Sequence, residues 1–306
     1  MRSAFLAVDI TSTSAQITAP IMRLPKPFHR LVPARFRART PLVPVVRLAG
    51  PIGIPMPFRQ SLSLATLAVR LQAAFSIPDI KAVALTINSP GGSAVQSHLI
   101  MRRIRALAEE KKVSVFAFAE DAAASGGYML ALAADEIFVD PASIVGSIGV
   151  VAAGFGFDKL IERIGIDRRV YAAGEEKVIL DPFRPERDAD VERLKRVQGL
   201  IHAHFIDLVK ERRGARLKGD DATLFSGAFW TGAEAVDLGL ADGIGDLRAV
   251  MRERFGEKVQ LRLVEGPRPF GLGRLLGASA ETAARFDAGA LLAAVEDRAL
   301  WSRYGL

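Results

Sequence analysis

The residues of this chain best suited to chemistry sit in two glycine-rich turns. In Ala123-Ala124-Ser125-Gly126-Gly127-Tyr128 a serine stands where a strand is predicted to give way to an alanine-rich helix. Its hydroxyl would lie near the positive end of that helix, and the Gly126 N–H just behind it would suit a developing oxyanion. An isolated Ser-Gly-Gly is more often a helix-capping serine, so that reading stands beside the catalytic one. In Asn88-Ser89-Pro90-Gly91-Gly92-Ser93 two glycines end another predicted strand, and their N–H groups can face a ligand without side-chain obstruction. Oxyanion stabilisation needs donors of that kind, fixed before charge develops.

A serine nucleophile also needs a base. There is no cysteine, and the four histidines are His29, His98, His202 and His204. His202 falls within a long charged helical pattern, and His98 is expected to face the wrong way along the helix after the glycine turn, so a histidine base is not expected. A lysine kept neutral by burial is the remaining type. Lys177, in Gly174-Glu175-Glu176-Lys177-Val178-Ile179, has Val178, Ile179 and Phe183 as apolar neighbours in sequence; taken alone it reads as a surface lysine.

The elements that must position these groups alternate between strand and helix. Val43–Leu48 is a short β-run, residues 61–76 have amphipathic-helix spacing, Ala82–Ile87 is a buried strand and Gln96–Lys111 a helix. The unit returns with a strand at Val113–Phe118 and a helix from Ser125 to Ala134, followed by strands at Glu136–Val139, Ile148–Val151 and Arg169–Ala172. A long charged helix is predicted over 186–213, another over Gly232–Gly239, and an alanine-rich tail helix from Ser279 to Tyr304 that could dock on the body or on a second subunit. The pattern predicts an α/β fold of stacked ββα units.

The net charge of +7 is unevenly placed. Between Ile10 and Pro78 there are nine basic residues and no acidic one, with five prolines between residues 10 and 42. This predicts an extended basic arm over residues 1–42 that suits anionic head groups better than nucleic acid, although a solvated arm with no dedicated partner is the plain alternative. No nucleic-acid partner is expected. No apolar run approaches the roughly 18–20 residues that span a bilayer, and the apolar stretch in Met1–Asp9 is short for a secretory signal. The expectation is a cytoplasmic protein, with peripheral contact at the inner face of the membrane through residues 10–42.

Taken together, Asn88–Gly92, Ala124–Tyr128, Gly146-Ser147-Ile148-Gly149-Val150, Gly174–Lys177 and the block from Phe225 through Thr231–Ala235 to Leu238–Asp242 resemble the signal peptide peptidase A (protease IV) family in its short bacterial form. The resemblance spans about Val43 to Val264 and implies a crotonase/Clp protease-like fold, with residues 43–264 as a serine peptidase domain and 265–306 as a helical C-terminal extension. It implies Ser125 as nucleophile, Lys177 as general base, Ser147 as the hydroxyl that holds the lysine, and Gly92 and Gly126 as the oxyanion hole. A Clp-type histidine would fall near Val150, and none is there. No metal or cofactor is implied. The expected partners are peptide substrates, signal-peptide-like or membrane-derived, and further copies of the chain, because small subunits of this fold build their sites at subunit boundaries. The Gly227–Asp242 block is expected to be structural. Two other functions stay open: an acyl-CoA enzyme of the same fold, disfavoured because no carboxylate follows Ser125 until Asp135, and a non-catalytic membrane-associated scaffold.

Overall fold

The computed structural model describes residues 40–54, 61–174, 176–265, 295 and 298–306. Eight strands form one sheet: β1 (Leu42–Ala49), β2 (Ala82–Ser89), β3 (Ser114–Ala124), β4 (Glu136–Val139), β5 (Ile144–Gly146), β6 (Phe229–Thr231), β7 (Gly243–Ile244) and β8 (Gln260–Leu263). The helices are α1 (Leu64–Phe75), α2 (Ala94–Lys111), α3 (Gly126–Ala131), α4 (Asp158–Arg163), α5 (Asp188–Arg213), α6 (Asp221–Leu224), α7 (Gly232–Asp237) and α8 (Leu247–Phe255). The sheet runs β6-β5-β3-β2-β1-β8, parallel except where β6 meets β5.

The three central strands are continuous apolar runs because both of their faces are covered. Val46, Leu48, Val83, Leu85 and Ile87 point into the main core with Leu67 and Leu71 of α1 and Ile100 and Ile104 of α2. Their alternates Val43, Val45, Ala82 and Ala84 point the other way, into a smaller core with Phe116, Phe118, Phe138, Val250 and Met251.

The long strand β3 is where the sheet divides. Its first half, Phe116–Phe118, pairs with β4, and its last residues, Ala122–Ala124, pair with β5. One strand thus feeds two partners, which makes the stacked ββα arrangement of the crotonase/Clp protease-like fold. Asn88 spans the register shift between β2 and β3, donating to the Asp121 carboxylate at 2.6 Å and accepting from the Ala122 N–H at 3.3 Å.

The far end of the Gly227–Asp242 block anchors the body through two contacts with buried side chains. Arg213 is 3 % exposed and forks onto Asp242 at 2.8 and 3.1 Å, while Asp242 also accepts from the Ile137 N–H at 2.7 Å. The fully buried Tyr128 donates its hydroxyl to the Leu240 carbonyl at 2.8 Å, tying α3 to this block.

Three secondary-structure expectations need correction. The strand expected at Ile148–Val151 lies instead at Ile144–Gly146, because Gly146 (φ +100°) and Ser147 (φ +51°) turn the chain out of the sheet. Arg169–Ala172 is not a strand; its residues are almost all exposed and pair with no strand among the described residues. The helix expected to run to Ala134 ends as α3 at Ala131. Of the basic arm, residues 1–39 lie outside the described residues, as do residues 266–294 of the C-terminal extension; residues 298–302 of that extension are helical.

Candidate active site

Strand register brings three turns together at the carboxyl ends of β2, β3 and β5. Ser89 stands opposite Ala123, and Ala124 opposite Gly146. The chain therefore leaves the sheet at one level in three neighbouring places: Pro90-Gly91-Gly92, Ser125-Gly126 and Ser147. Carboxyl ends of parallel strands are where open α/β sheets place their ligands.

Ser125 occupies a sharp strand-to-helix elbow at φ +52°, ψ −120°, a region costly for a residue with a Cβ. Its side chain makes no capping hydrogen bond, so the helix-capping reading of this serine is set aside. The elbow is held by its backbone: the Ser125 N–H donates to the Gly146 carbonyl at 2.7 Å, and its carbonyl accepts from the Met129 N–H at 3.1 Å. Gly91 lies against it so closely that an added Cβ would stand 2.8 Å from the Ser125 Cβ and 2.9 Å from the Gly126 nitrogen. Only a glycine at φ +99° permits that approach. The glycine turn is held from its other side, where the Ser93 N–H donates to Ile52 O at 2.7 Å and the Ile52 N–H to Gly91 O at 2.8 Å. Among the described residues, the N–H groups of Gly92 and Gly126 make no backbone hydrogen bond.

Ser147 sits beside this elbow, its N–H donating to Ala228 O at 2.7 Å. Its hydroxyl lies 3.2 Å from that of Tyr304, close to the C-terminus.

Ser125, Ser147 and Gly92 line a cleft of about 820 Å³ whose walls include Val95, Leu99, Met129, Leu200 and Ile201. His98, His202 and His204 line it too, so the expectation that His98 faces away is corrected. The reason lies in α5, whose packing across the cleft from α2 no local pattern reveals. His98 and His204 meet edge-on, His204 Nε2 to His98 Nδ1 at 3.3 Å, and His202 Nε2 lies 2.9 Å from Ile148 O. Burial, and then the charges of His204 and Arg102, hold the His98 ring below its ordinary titration range.

Lys177 is placed differently from the expectation of apolar surroundings. It is exposed, with Val178 half-buried beside it, and it is absent from the lining of the Ser125 cleft. The stretch from Val151 to Arg187 that carries it makes hydrogen bonds within itself, from the Phe157 N–H to Pro182 O and from the Lys177 N–H to Gly174 O. It reaches α5 through Arg187–Asp190 and Glu176–Arg193. Several of its apolar side chains face solvent, with Phe155 80 % and Tyr171 93 % exposed.

Among known families, the description "Peptidase family S49" matches residues 106–261. The chain belongs to this family. It is 32 % identical over 235 residues to the serine protease SPPA, chloroplastic, of Arabidopsis thaliana, covering 74 % of this chain and 33 % of that protein. A Brucella abortus protein named Na(+)/H(+) antiporter NhaA is 53 % identical over 294 residues, 92 % of this chain and 39 % of its own length. This S49 chain thus spans well under half of these relatives. The antiporter name is that protein's own; among the described residues here, no helix is long and apolar enough to cross a membrane. A solved membrane-bound stomatin-specific protease, in a serine-to-alanine mutant form, covers 75 % of this chain and 100 % of its own at 16 % identity and a TM-score of 0.44. The expected relation to the signal peptide peptidase A family holds, and the family is one of peptidases.

Proposed function

We propose that this S49 chain hydrolyses peptide bonds with Ser125 as nucleophile, and that Lys177 of a neighbouring copy completes each site. The observation that carries this reading is the elbow: a serine at φ +52° without a capping bond, pressed against Gly91, with two unengaged N–H groups beside it. Ser125 Oγ attacks the peptide carbonyl carbon while the neutral amine of Lys177 takes its proton. The carbonyl oxygen becomes an oxyanion that accepts from the Gly92 and Gly126 N–H groups. The C–N bond then breaks, the leaving amine takes the proton back from Lys177, and an ester joins the acyl group to Ser125. Water attacks that ester with Lys177 again as base, releasing the acid and restoring the serine.

The supply of the lysine by a second copy is supported by its position on an exposed stretch with outward-facing apolar side chains. Such a face is suited to burial against another copy, and closed head-to-tail rings repeat one interface. Ser147, next to the elbow, would receive the incoming ammonium. The apolar walls of the cleft favour extended apolar peptides, as in signal-peptide-like or membrane-derived substrates. An acyl-CoA chemistry finds less support: Asp135, the first carboxylate after Ser125, is bound to Arg105 at 2.8 Å and to the Val115 N–H at 2.9 Å. A non-catalytic scaffold would not react with a fluorophosphonate at Ser125, and covalent labelling separates that reading from this one.

The test is complementation between inactive chains. Ser125→Ala and Lys177→Ala should each lower turnover of a fluorescent casein by about 100-fold or more. Co-assembled, they should recover about a quarter of the wild-type sites, since randomly mixed neighbours pair an intact serine with an intact lysine that often. No recovery in mixed oligomers would mean that both residues act within one copy or that Lys177 is not the base.

A further inference from the structure

We propose that the C-terminal residues 298–306 are an autoinhibitory strap whose Tyr304 fills the place of the lysine beside Ser125; this rests on the Ser–Lys reading above. The strap enters the catalytic cleft, with Leu300 and Arg303 among the residues that line it together with Ser125. Its last turn is closed by bonds from the Tyr304 N–H to Trp301 O at 3.0 Å and from the Gly305 N–H to Ser302 O at 3.1 Å. That turn presents Tyr304, which is 9 % exposed and lies edge-on to Phe229 of β6 at 5.2 Å.

The Tyr304 hydroxyl lies 3.2 Å from Ser147 Oγ and 3.4 Å from the Pro90 carbonyl oxygen. It thereby links the turn after β5 to the turn that carries Gly92. An incoming ammonium would need the same two acceptors, since it brings three donors and must be held close to Ser125 Oγ. A phenol has one O–H, so it donates to the Pro90 carbonyl while accepting from the Ser147 hydroxyl, or donates to Ser147 Oγ, in either case without bringing a charge out of water, whereas a lysine must be desolvated to act there. Both cannot occupy the space beside Ser147 at once. A chain with its own strap in place is therefore latent, and arrival of a neighbour's Lys177 must displace Tyr304.

The experiment compares full-length wild type with Tyr304→Phe and with a chain ending at residue 297. The readouts are turnover of fluorescent casein and binding of a fluorescein-labelled peptide of residues 298–306 to the shortened chain carrying Ser125→Ala. Shortening should raise turnover several-fold and abolish any lag. Tyr304→Phe should do so by about two- to tenfold, the worth of one hydrogen bond. The labelled peptide should bind the shortened chain, more weakly when its tyrosine is replaced by phenylalanine or when Ser147→Ala is introduced in the chain. Turnover that depends on Ser125 and Lys177 but is unchanged by Tyr304→Phe and by shortening would overturn the strap and leave the dyad standing. Turnover indifferent to Ser125→Ala would overturn the dyad, and the peptide-binding arm would still judge the strap. A shortened chain that fails to fold leaves Tyr304→Phe to decide, through the rate and the lag of the full-length protein.

Discussion

The backbone N–H of Ser125 donates to the carbonyl of Gly146 at 2.7 Å, so the neighbouring strand holds the elbow from one side while its own helix holds it from the other through the Met129 N–H at 3.1 Å. Gly146 has φ +100°, and a Cβ there would stand 2.6 Å from the Trp230 ring. Gly146→Ala should therefore cost on the order of 2–4 kcal/mol of stability, from backbone strain and overpacking together. Turnover should fall by at least about tenfold because Ser125 and Ser147 shift with the turn. Urea midpoints and casein turnover check this, with Gly154→Ala as a control, since nothing lies within 4 Å of a Cβ there. A Gly146→Ala chain as stable and active as wild type would show that the turn does not set the site.

The cleft histidines are expected to shape substrate binding without carrying the proton. His98, His202 and His204 hydrogen-bond to one another or to Ile148 O, and burial keeps the His98 ring neutral to lower pH than an ordinary histidine. Replacing all three with alanine should move KM while leaving kcat within a few-fold, far less than the roughly 100-fold cost of a lost base. Turnover should still rise through the alkaline range, because only an unprotonated amine can accept the serine proton. A collapse of kcat in a folded triple variant would make a histidine the base.

The Arg213–Asp242 pair should be a pH-dependent element of stability. Burial pushes the Asp242 carboxyl up, but the hydrogen bonds from Arg213 and the Ile137 N–H, with the charges of Arg213 and Arg216, outweigh it and hold the carboxyl below the ordinary aspartate range. The stability it contributes is therefore present above the unfolded aspartate value and is lost as pH falls through the lowered folded one. Arg213→Met should destabilise by about 3–5 kcal/mol at neutral pH, because it leaves a half-buried carboxylate without its main partner. The loss should shrink as the pH is lowered through the acid range. A loss that stays constant down to strong acid would mean that the arginine acts through packing alone.

We propose that the basic arm binds anionic membranes peripherally. Between residues 10 and 40, Arg23, Lys26, Arg30, Arg35, Arg37 and Arg39 are interleaved with Ile21, Leu24, Phe28, Leu31 and Phe36. Each basic residue near an anionic surface contributes about 1 kcal/mol. Because β1 begins at Leu42 and Pro41 O accepts from the Gln260 N–H at 2.8 Å, the arm should be removed at residue 39 and no later. The full chain should float with phosphatidylserine vesicles and be released by salt, while the shortened chain should not float and should keep its oligomer size. A shortened chain that falls to monomers, with neither form floating, would make the arm an assembly element.

Much of the fold and part of the site were legible in the sequence, for a common physical reason. A strand such as Ala82–Ser89, buried on both faces, must be written as a continuous apolar run. A turn in which a Cβ on Gly91 would stand 2.8 Å from the Ser125 Cβ must be written with glycine. Local composition therefore announced the core strands, α1, α2 and α5, and both glycine turns of the candidate site, and the order of motifs pointed to the family. Short elements without such constraints were misplaced: Ile148–Val151 reads as apolar and extended, yet two positive φ angles at Gly146 and Ser147 had already ended the strand. The placement of the cleft histidines and of Tyr304 was not legible because it lies in contacts between residues far apart in the chain. His98 of α2 reaches His204 of α5, and Tyr304 reaches Ser147 across 157 positions of sequence. Sequence alone determined which residues could do chemistry here. Tertiary structure decided which of them share one cleft, because strand register and helix packing, and not spacing along the chain, bring Ser125 and Ser147 into it and set Tyr304 against Ser147, while leaving Lys177 facing outward.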